Sequence, residues 1–408
     1  MNLFEELKYR GAIDNITNAA LIDELNNGKV TVYIGIDPTA DSAHVGHYFS
    51  LLVLERLRRA GHNPILLVGG ATGLIGDPKP GSEREMISKE QLQKNYLGIK
   101  SQVEDLFGLE VVNNFDWTKD INVIDFLRDY GKFFPVNYML NKDVVKSRLE
   151  TGITYTEFSY MILQSLDFLH LYENNGCTVQ IGGQDQWGNI TAGIELIRRK
   201  TGADAYGFTV PLITKADGTK FGKSEGGTVW LDKNKTTSYE LYQFFFNTED
   251  EKVIEYLKKF TFLSKNEIDS LEKSLSEEPH LRMAHKALAE NVVRDIHGED
   301  ELNKALNVTK VLFEEKYETL TLEELLVAFK GVESIEINEP KSLIDCLIMA
   351  NLASSKREAR EFIQNGSVKV NGQKVEDIEK MLSIDDMLKG SGCILKRGKK
   401  KYSLIKWQ

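Results

Sequence analysis

The segment DPTADSAHVGH contains two histidines, His44 and His47, three residues apart, which places both imidazoles on one face of a helix. Metal ligation is one possibility, although no third ligand type lies nearby in the sequence. A helix start capped by Ser42 is a second. The third is a phosphate site, because the amide-rich N-terminus of a helix that follows a parallel strand binds anions. In that case Thr39 and both imidazoles would donate hydrogen bonds to the phosphates of a nucleotide.

The segment KADGTKFGKSEGG, at residues 215–227, contains the Gly-Lys-Ser that ends the phosphate-binding loop of many nucleotide hydrolases. That loop has four residues before this tripeptide, whereas only three separate Gly218 from Gly222. The two glycines after Ser224 and Glu225 also oppose the helix that should follow. A P-loop is therefore disfavoured, and this segment alone favours a flexible hairpin with lysines that face solvent.

A third stretch, TYTEFSYMILQSLDFLHLYE, places polar side chains among apolar neighbours. Thr154 and Glu157 have the spacing of a capping box, which predicts that a helix begins here. At about 100° per residue, Tyr160, Gln164 and Asp167 fall within about 60° of one another on that helix. This polar stripe is either a solvated face or the wall of a polar pocket.

Two glycine-rich segments each contain a carboxylate. GGATGLIGD follows a predicted strand but does not spell GxGxxG, so a dinucleotide site is disfavoured. Its glycines are expected to let a ligand approach the backbone, and Asp77 is expected at the same edge of the sheet. GGQDQWGN repeats the order of strand end, glycine and helix start. Asp185 is therefore placed to accept hydrogen bonds from ribose hydroxyls.

The composition predicts a cytoplasmic protein of two or three domains. The chain has 408 residues and 41% hydrophobic content. Its charged start does not resemble a signal peptide, and no apolar run reaches the ~20 residues of a membrane span. Cys177, Cys346 and Cys393 lack CxxC spacing, which argues against a zinc site, a redox site or a disulfide scaffold.

The elements that must position these residues alternate between strand and helix in the first half of the chain. Apolar runs predict strands at residues 30–36, 63–70, 177–183 and 207–213, with helices between them. About a hundred mainly helical residues separate the two halves. The prediction is a doubly wound, Rossmann-like parallel-sheet domain with a helical insertion at residues 1–225.

The rest of the chain is predicted to form a helical domain at residues 226–330, a linker at 331–340 and a small α+β module at 341–408. The module carries 14 Lys and Arg against 8 Asp and Glu, whereas the first 340 residues carry 37 against 53. A basic module on an acidic body predicts a polyanion partner, such as RNA. The residues expected to bind it lie at a helix start and are Ser354, Ser355, Lys356, Arg357 and Arg360.

Taken together, these segments resemble one family. HVGH is similar to the His-Ile-Gly-His signature of class I aminoacyl-tRNA synthetases, and KFGKS is similar to their Lys-Met-Ser-Lys-Ser loop in the form used by bacterial tyrosyl enzymes. YIGIDPTADSAHVGH, GGATGLIGDP, TEFSYMILQSLDF and GGQDQWGN also resemble the bacterial tyrosyl-tRNA synthetase pattern, in order and at similar spacing. The basic module resembles the S-four-like RNA-binding domain that ends those enzymes.

The resemblance implies a role for each matching residue. The side chains implied to hold the substrate tyrosine are Tyr33 and Asp167 at its phenolic hydroxyl, Tyr160, Gln164 and Asp77 at its ammonium group, and Gln186 near its carboxylate. The residues implied to face ATP are Gly35 and Asp37 along the nucleotide, His47 and Asp185 near the ribose, and Thr39 and His44 at the β- and γ-phosphates. Lys220 and Lys223 would close over the pyrophosphate from a mobile loop. The roles of Lys79 and Arg84 stay open.

The implied reaction is the ATP-dependent activation of L-tyrosine to tyrosyl-adenylate, with release of pyrophosphate and transfer of tyrosine to the 3′ end of tRNA(Tyr). ATP would enter with Mg²⁺, and no metal bound by the protein itself is expected. The resemblance also implies a homodimer. The alternatives are a tryptophanyl-tRNA synthetase, a P-loop-like NTPase or kinase, and an inactive homologue that binds RNA.

Overall fold

The computed structural model describes the chain except for residues 79–86, 151, 220, 225, 226, 318, 319, 321, 330, 331, 333, 389–391, 399, 400 and 408. Inside helices and strands, the side chains of residues 143, 144, 223, 224, 322, 323 and 326 are also left undescribed. The chain divides into two compact units. One comprises Met1–Thr236 and Phe246–Val292, and the other comprises Thr237–Phe245 and Val293–Gln408. No described helix is long and apolar enough to cross a membrane.

The first unit is built on a parallel sheet of five strands. The strands are β1 (Thr31–Ile36), β2 (Asn63–Val68), β3 (Glu110–Asn113), β4 (Cys177–Gly183) and β5 (Tyr206–Val210). Their order in the sheet is β3-β2-β1-β4-β5, so the strand order reverses between β1 and β4. Ligands bind at the carboxyl edge of such a reversal point. The predicted doubly wound α/β fold is confirmed.

The four predicted strands are present, with ends that differ by a few residues. β2 ends at Val68 instead of Gly70, and β5 ends before Pro211, whose missing amide hydrogen cannot continue a ladder. The fifth strand, β3, lies in the stretch that was expected to be mainly helical. It is a four-residue edge strand, too short for a clear periodic pattern.

The helices before residue 298 lie in the first unit, apart from residues 237–245 and 293–297, which belong to the second. In chain order they are α1 (Leu3–Tyr9), α2 (Ala20–Asn27), α3 (Val45–Arg59), α4 (Thr72–Ile75), α5 (Lys89–Phe107), α6 (Phe115–Thr118), α7 (Val123–Asp125), α8 (Val136–Leu140), α9 (Asp143–Lys146), α10 (Tyr155–Asn175), α11 (Trp187–Thr201), α12 (Ser238–Phe246), α13 (Asp250–Phe260), α14 (Lys265–Glu277) and α15 (Met283–His297). The chain passes between the two units within α12 and again within α15. A short antiparallel ribbon, β6 (Lys223–Ser224) and β7 (Gly227–Thr228), precedes α12.

The second unit combines helices with a mixed sheet. Its further elements are α16 (Glu299–Glu314), α17 (Leu322–Ala328), β8 (Ser334–Ile337), β9 (Lys341–Ser342), α18 (Leu343–Met349), α19 (Lys356–Gln364), β10 (Val368–Val370), β11 (Gln373–Lys374), β12 (Met381–Leu382), β13 (Gly392–Arg397) and β14 (Lys401–Trp407). The main sheet has the order β11-β10-β13-β14-β8. A tight turn joins β10 to β11, and both of its central residues, Asn371 and Gly372, have positive φ.

The boundaries of these units differ from those expected. The stretch expected to be a linker, 331–340, contains β8, which pairs with β14 in parallel register. In β8, Ile337 is buried and Glu336 is exposed, so this short alternating segment buries one face against the module. The stretch expected to be one helical domain, 226–330, is shared between the units, because α13 and α14 belong to the first. Charged amphipathic helices give no sequence signal for the partner on which they pack.

Candidate active site

A cavity of about 850 Å³ lies at the carboxyl edge of the parallel sheet, between the ends of β1, β4 and β5, the start of α3 and the middle of α10. The predicted site residues that line it are Tyr33, Gly35, Asp37, Thr39, His47, Asp77, Tyr160, Gln164, Asp167, Asp185 and Gln186. They come from segments spread over more than 150 positions of the chain, and the fold brings them to one place. The polar stripe of α10 is therefore a pocket wall and not a solvated face.

The start of α3 is capped by its own histidines and not by Ser42. The Gly46 amide donates to His44 Nδ1 at 3.0 Å, and the His44 amide donates to His47 Nδ1 at 3.4 Å. Because both Nδ1 atoms accept hydrogen bonds, each neutral ring carries its hydrogen on Nε2. The two rings stack with their centroids 3.9 Å apart. Burial and the neighbouring imidazole lower the pKa of His47 to about 3, so that ring is neutral and can donate from Nε2 at physiological pH.

Glycine is required inside HVGH because a Cβ on Gly46 would lie 2.7 Å from His44 Cε1. The ring of His44 occupies that space in order to cap the helix.

The glycines of GGATGLIGD also make room for protein side chains, whereas they were expected to make room for a ligand. A Cβ on Gly69 would collide with Thr72 Oγ1 and Asp37 Oδ1, so protein side chains fill the space that was expected to admit a ligand.

One end of the cavity carries Asp167, whose two oxygens already accept hydrogen bonds. Trp117 Nε1 donates to Oδ1 and Asn114 Nδ2 donates to Oδ2, both at 2.9 Å. Burial raises the pKa of Asp167 to about 7, against these two hydrogen bonds that lower it. The Tyr33 hydroxyl lies at this same end and has no hydrogen-bond partner among the described residues. A buried hydroxyl without a partner beside a fixed carboxyl can bind a polar group at the tip of a ligand.

A second polar cluster surrounds Asp77. Gln186 Nε2 donates to Asp77 Oδ2 at 2.7 Å, and Asn189 Nδ2 lies within hydrogen-bond distance of Asp77, Gln164 and Gln186. Burial raises the pKa of Asp77 to about 6, and the charges of Asp37 and Asp185 add to that rise. Three carboxylates with amide neighbours form a site that favours a positively charged group.

A third part of the cavity is ordered by Asp37. Thr72 Oγ1 donates to Asp37 Oδ1 at 3.2 Å, and the Tyr160 hydroxyl donates to the same oxygen at 3.4 Å. Asn114 Nδ2 lies 3.0 Å from Thr72 Oγ1, so one chain of hydrogen bonds joins Asp37 to the end at which Asp167 lies. Such a chain holds the two ends of the cavity in a fixed relation.

Four residues of this network were missed from the sequence: Thr72, Asn114, Trp117 and Asn189. Asn114 directly follows β3, so the rule that polar residues at strand ends meet at one edge would have found it if the strand had been recognised. Asn189 lies on the first turn of α11, within the quoted GGQDQWGN segment. Trp117 is part of no periodic pattern in the sequence that would have indicated a role in the site.

The segment 215–227 forms a hairpin and not a P-loop. Ser224 lies in strand β6, which pairs with β7, so no helix starts there. Phe221 is buried, with its ring 4.9 Å from that of Tyr256 and 5.1 Å from that of Phe260. Gly222, which precedes β6, and Gly227, which begins β7, both have positive φ. Lys79, Arg84 and Lys220 lie outside the described residues, as does the side chain of Lys223.

Among the described residues, no group of three or more histidine, cysteine, aspartate or glutamate side chains is placed to hold a metal ion. The three cysteines are free and buried.

The residues expected to bind RNA lie at the start of α19 in the second unit. There, Ser355 caps α19 by accepting from the Glu358 amide at 3.2 Å. Lys356 pairs with Asp345 at 2.9 Å, whereas Arg357 and Arg360 are exposed.

Comparison with known proteins separates the tyrosyl from the tryptophanyl alternative. The family model "tRNA synthetases class I (W and Y)" matches residues 25–314, and the model "Tyrosine--tRNA ligase SYY-like C-terminal domain" matches residues 324–405. The tyrosine–tRNA ligase of Listeria monocytogenes serotype 4a (strain HCC23) is 49% identical over the whole of both chains. That of Staphylococcus carnosus (strain TM300) is 51% identical over 100% of this chain and 99% of its own. The chain belongs to the class I tyrosyl-tRNA synthetases.

Solved structures agree with this assignment. A C-terminally truncated mitochondrial tyrosyl-tRNA synthetase from Aspergillus nidulans superposes with a TM-score of 0.69 at 32% identity, over 76% of this chain and 94% of its own. A tryptophanyl-tRNA synthetase from Encephalitozoon cuniculi shares the fold alone, at 13% identity and a TM-score of 0.56 over 74% of this chain and 87% of its own. The predicted family and the predicted ligase class are confirmed.

Proposed function

We propose that the cavity at the carboxyl edge of the sheet activates L-tyrosine with ATP, and that the tyrosyl group then passes to the 3′ end of tRNA(Tyr). The single observation that carries this proposal is that one cavity joins a buried end with two groups that recognise a hydroxyl, a carboxylate cluster, and the start of α3, where Thr39 and His47 present hydrogen-bond donors. Those three parts match the phenol, the ammonium group and the triphosphate of the two substrates.

At the phenol end, the substrate hydroxyl donates to Asp167 and accepts from Tyr33. Asp167 is held for this by Asn114 and Trp117, and each carboxylate oxygen keeps a lone pair after accepting one hydrogen bond. Phenylalanine in the same position would leave the Tyr33 hydroxyl and one carboxylate lone pair without a partner. That loss is the physical basis for rejection of phenylalanine.

The ammonium group of tyrosine binds among Asp77, Tyr160 and Gln164, and its carboxylate lies near Gln186. Gln186 and Asn189 hold Asp77 from the opposite side, which leaves the carboxylate oriented before the substrate arrives. Such pre-orientation reduces the entropy that must be lost on binding.

ATP, as its magnesium complex, lies along Gly35 and Asp37, with Asp185 and His47 near the ribose. The tyrosine carboxylate attacks the α-phosphorus, the bond to the β-phosphate oxygen breaks, and pyrophosphate leaves with that bond's electrons. Thr39 and the Nε2–H of His44 donate to the β- and γ-phosphates, while Lys220 and Lys223 engage the leaving group. No protein nucleophile takes part, so the rate comes from alignment and from donors that strengthen as charge develops.

The products distinguish this reaction from that of an NTPase or kinase. Incubation of the protein with ATP, tyrosine and tRNA is expected to give AMP, pyrophosphate and tyrosyl-tRNA in equal amounts. The assay is thin-layer separation of labelled adenine nucleotides. Steady formation of ADP without any amino acid would contradict the proposal.

The affinity for tyrosine is expected to fall about tenfold between pH 7 and pH 5, because a cation binds the ionised form of Asp77 and that group has a pKa of about 6 in the free protein. The raised pKa means that protonation begins as the pH falls through 6, so binding weakens on the acid side. The measurement is the tyrosine dissociation constant by equilibrium dialysis at each pH.

Asp167 faces the same cavity and also has a raised pKa, so the Asp77→Asn variant serves as the reference for the titration of Asp167. Its affinity should be weaker throughout, and its change between pH 7 and pH 5 should be smaller than that of the wild type. If the variant keeps the full wild-type pH dependence, Asp77 is not the group whose ionisation controls binding of the ammonium group.

We further propose that the start of α19 binds tRNA through Ser355, Lys356, Arg357 and Arg360. Reversal of both exposed charges, Arg357→Glu with Arg360→Glu, is expected to reduce transfer of tyrosine to tRNA by at least tenfold and to leave pyrophosphate exchange unchanged, because phosphate contacts carry most of the affinity for RNA. The two assays on one protein preparation control each other. Equal loss in both would mean that these arginines support the fold.

This substitution is preferable to deletion of residues 341–408. β8 lies before the cut and pairs with β14 after it, and Phe329 packs against Tyr402 at 5.9 Å. A deletion would therefore expose apolar surface of the second unit, and a loss of RNA binding could not be told from a loss of folding.

We also propose that the protein is a homodimer that acts in the cytoplasm. The apolar side chains that α7, α8 and the start of α10 expose to solvent support such an interface. They are Val123, Ile124, Val136 and Tyr155.

A further inference from the structure

Two buried polar atoms near the phenol end have no hydrogen-bond partner in the described part of the protein. They are the hydroxyl of Tyr33 and Oε1 of Gln180. The two residues are only 1% and 2% exposed. Because buried polar groups in folded proteins are almost always hydrogen-bonded, each atom is expected to have a partner beyond the described side chains, such as a ligand group or a water.

The fold brings these two side chains together. Tyr33 of β1 and Gln180 of β4 are register partners in the parallel sheet, so both side chains leave the same face. On that face, Phe168 of α10 packs against the Tyr33 ring with centroids 5.3 Å apart. A Cβ on Gly193 of α11 would lie 3.0 Å from Phe168 and 3.5 Å from Gln180 Oε1, so the small residue leaves room for the carboxamide.

The hydrogen count at this end of the cavity requires one more donor. The substrate phenol has one hydrogen, which goes to Asp167, and Tyr33 has one hydrogen, which must go to the phenol oxygen if Tyr33 is to recognise it. The Tyr33 oxygen then still accepts, and Gln180 Oε1 accepts as well. One water molecule satisfies both, because it donates one hydrogen to each oxygen.

We propose that Gln180 is a positioning residue for the recognition of tyrosine. Through one buried water, its carboxamide oxygen fixes the direction of the Tyr33 hydroxyl, so that the hydroxyl hydrogen points at the substrate and not away from it. The hydrogen bonds from the water through the Tyr33 hydroxyl and the phenol to Asp167 then run in one direction, so each polarises the next. The inference rests on the proposed role of Tyr33 at the phenolic hydroxyl.

A double-mutant cycle tests this coupling. The four proteins are the wild type, Gln180→Met, Tyr33→Phe and the double variant, and the readout is the ratio of kcat/KM for tyrosine to kcat/KM for phenylalanine in pyrophosphate exchange. In the wild-type background, Gln180→Met is expected to lower this ratio about threefold to tenfold, the effect of one neutral hydrogen bond. In the Tyr33→Phe background it is expected to change the ratio less than about twofold, because no hydroxyl is left to orient.

The outcomes separate the inference from the proposed function. If Gln180→Met lowers the ratio by the same factor in both backgrounds, Gln180 does not act through Tyr33 and the inference fails. If Tyr33→Phe itself leaves the ratio unchanged, the proposed role of Tyr33 fails, and the inference falls with it.

A second measurement does not depend on the variants folding. A crystal structure of the wild-type protein with tyrosine bound is expected to show one ordered water within hydrogen-bond distance of both Tyr33 Oη and Gln180 Oε1. Direct contact between those two atoms, or an apolar gap between them, would overturn the inference.

Discussion

The variant Asp167→Asn is expected to lower kcat/KM for tyrosine in pyrophosphate exchange by about 10²-fold or more, from the loss of a charged acceptor and the burial of an unpaired donor. Both oxygens of Asp167 accept hydrogen bonds from protein donors, Trp117 Nε1 and Asn114 Nδ2. An asparagine must turn its amide group towards one of these donors, since it has only one oxygen. One buried N–H then faces another, and the substrate hydroxyl loses its anionic acceptor.

The effect should be specific to tyrosine. The KM for ATP is expected to change less than the KM for tyrosine, because Asp167 reaches Asp37 only through Asn114 and Thr72. Asp116→Asn is the matched control, since Asp116 is exposed on α6 one residue before Trp117. The assay is pyrophosphate exchange with each substrate varied in turn. An unchanged KM and kcat for tyrosine would show that Asp167 does not contact the substrate.

The variant Lys223→Ala is expected to slow the formation of tyrosyl-adenylate by about 10²–10³-fold, the usual cost of removing one donor aimed at developing charge. The dissociation constant for tyrosine should change less than about twofold, because Lys223 engages the pyrophosphate and not the amino acid. The measurement is the single-turnover rate at saturating tyrosine, with the dissociation constant taken from its dependence on tyrosine concentration. Lys215→Ala, in the same segment, is the matched control.

The hairpin gives this prediction a structural basis. Phe221 packs between Tyr256 and Phe260, so it anchors the segment to α13. Gly222 before β6 and Gly227 at the start of β7 have positive φ, a conformation that glycine adopts without strain. Lys223 lies two residues after the anchor. A large loss of tyrosine affinity with a normal rate at saturation would contradict the role of Lys223 in the transition state.

The sheet and most of the cavity could be predicted because their signals are local. Apolar runs mark strands that are buried on both faces, and polar residues at the ends of those strands must meet at one edge. The capping box of Thr154 and Glu157 likewise fixed the start of α10, and therefore the direction in which Tyr160, Gln164 and Asp167 face.

The features that were missed depend on contacts between distant segments. Trp117 reaches Asp167 across fifty positions of the chain, and no periodicity links the two. His44 replaces Ser42 as the cap of α3 because the ring has room only beside a glycine, which propensity alone does not reveal. β8 is four residues long, and its pairing with β14 spans about seventy positions. Short elements of this kind gain their stability from tertiary contacts, so their own sequence specifies them weakly.

The most direct test of the central claim is amino-acid-dependent exchange of labelled pyrophosphate into ATP, measured with the wild-type protein and each amino acid in turn. The account predicts exchange with tyrosine, far weaker exchange with phenylalanine, and none above background with tryptophan. Exchange that tryptophan supports and tyrosine does not would contradict the assignment of Tyr33 and Asp167 to a phenolic hydroxyl.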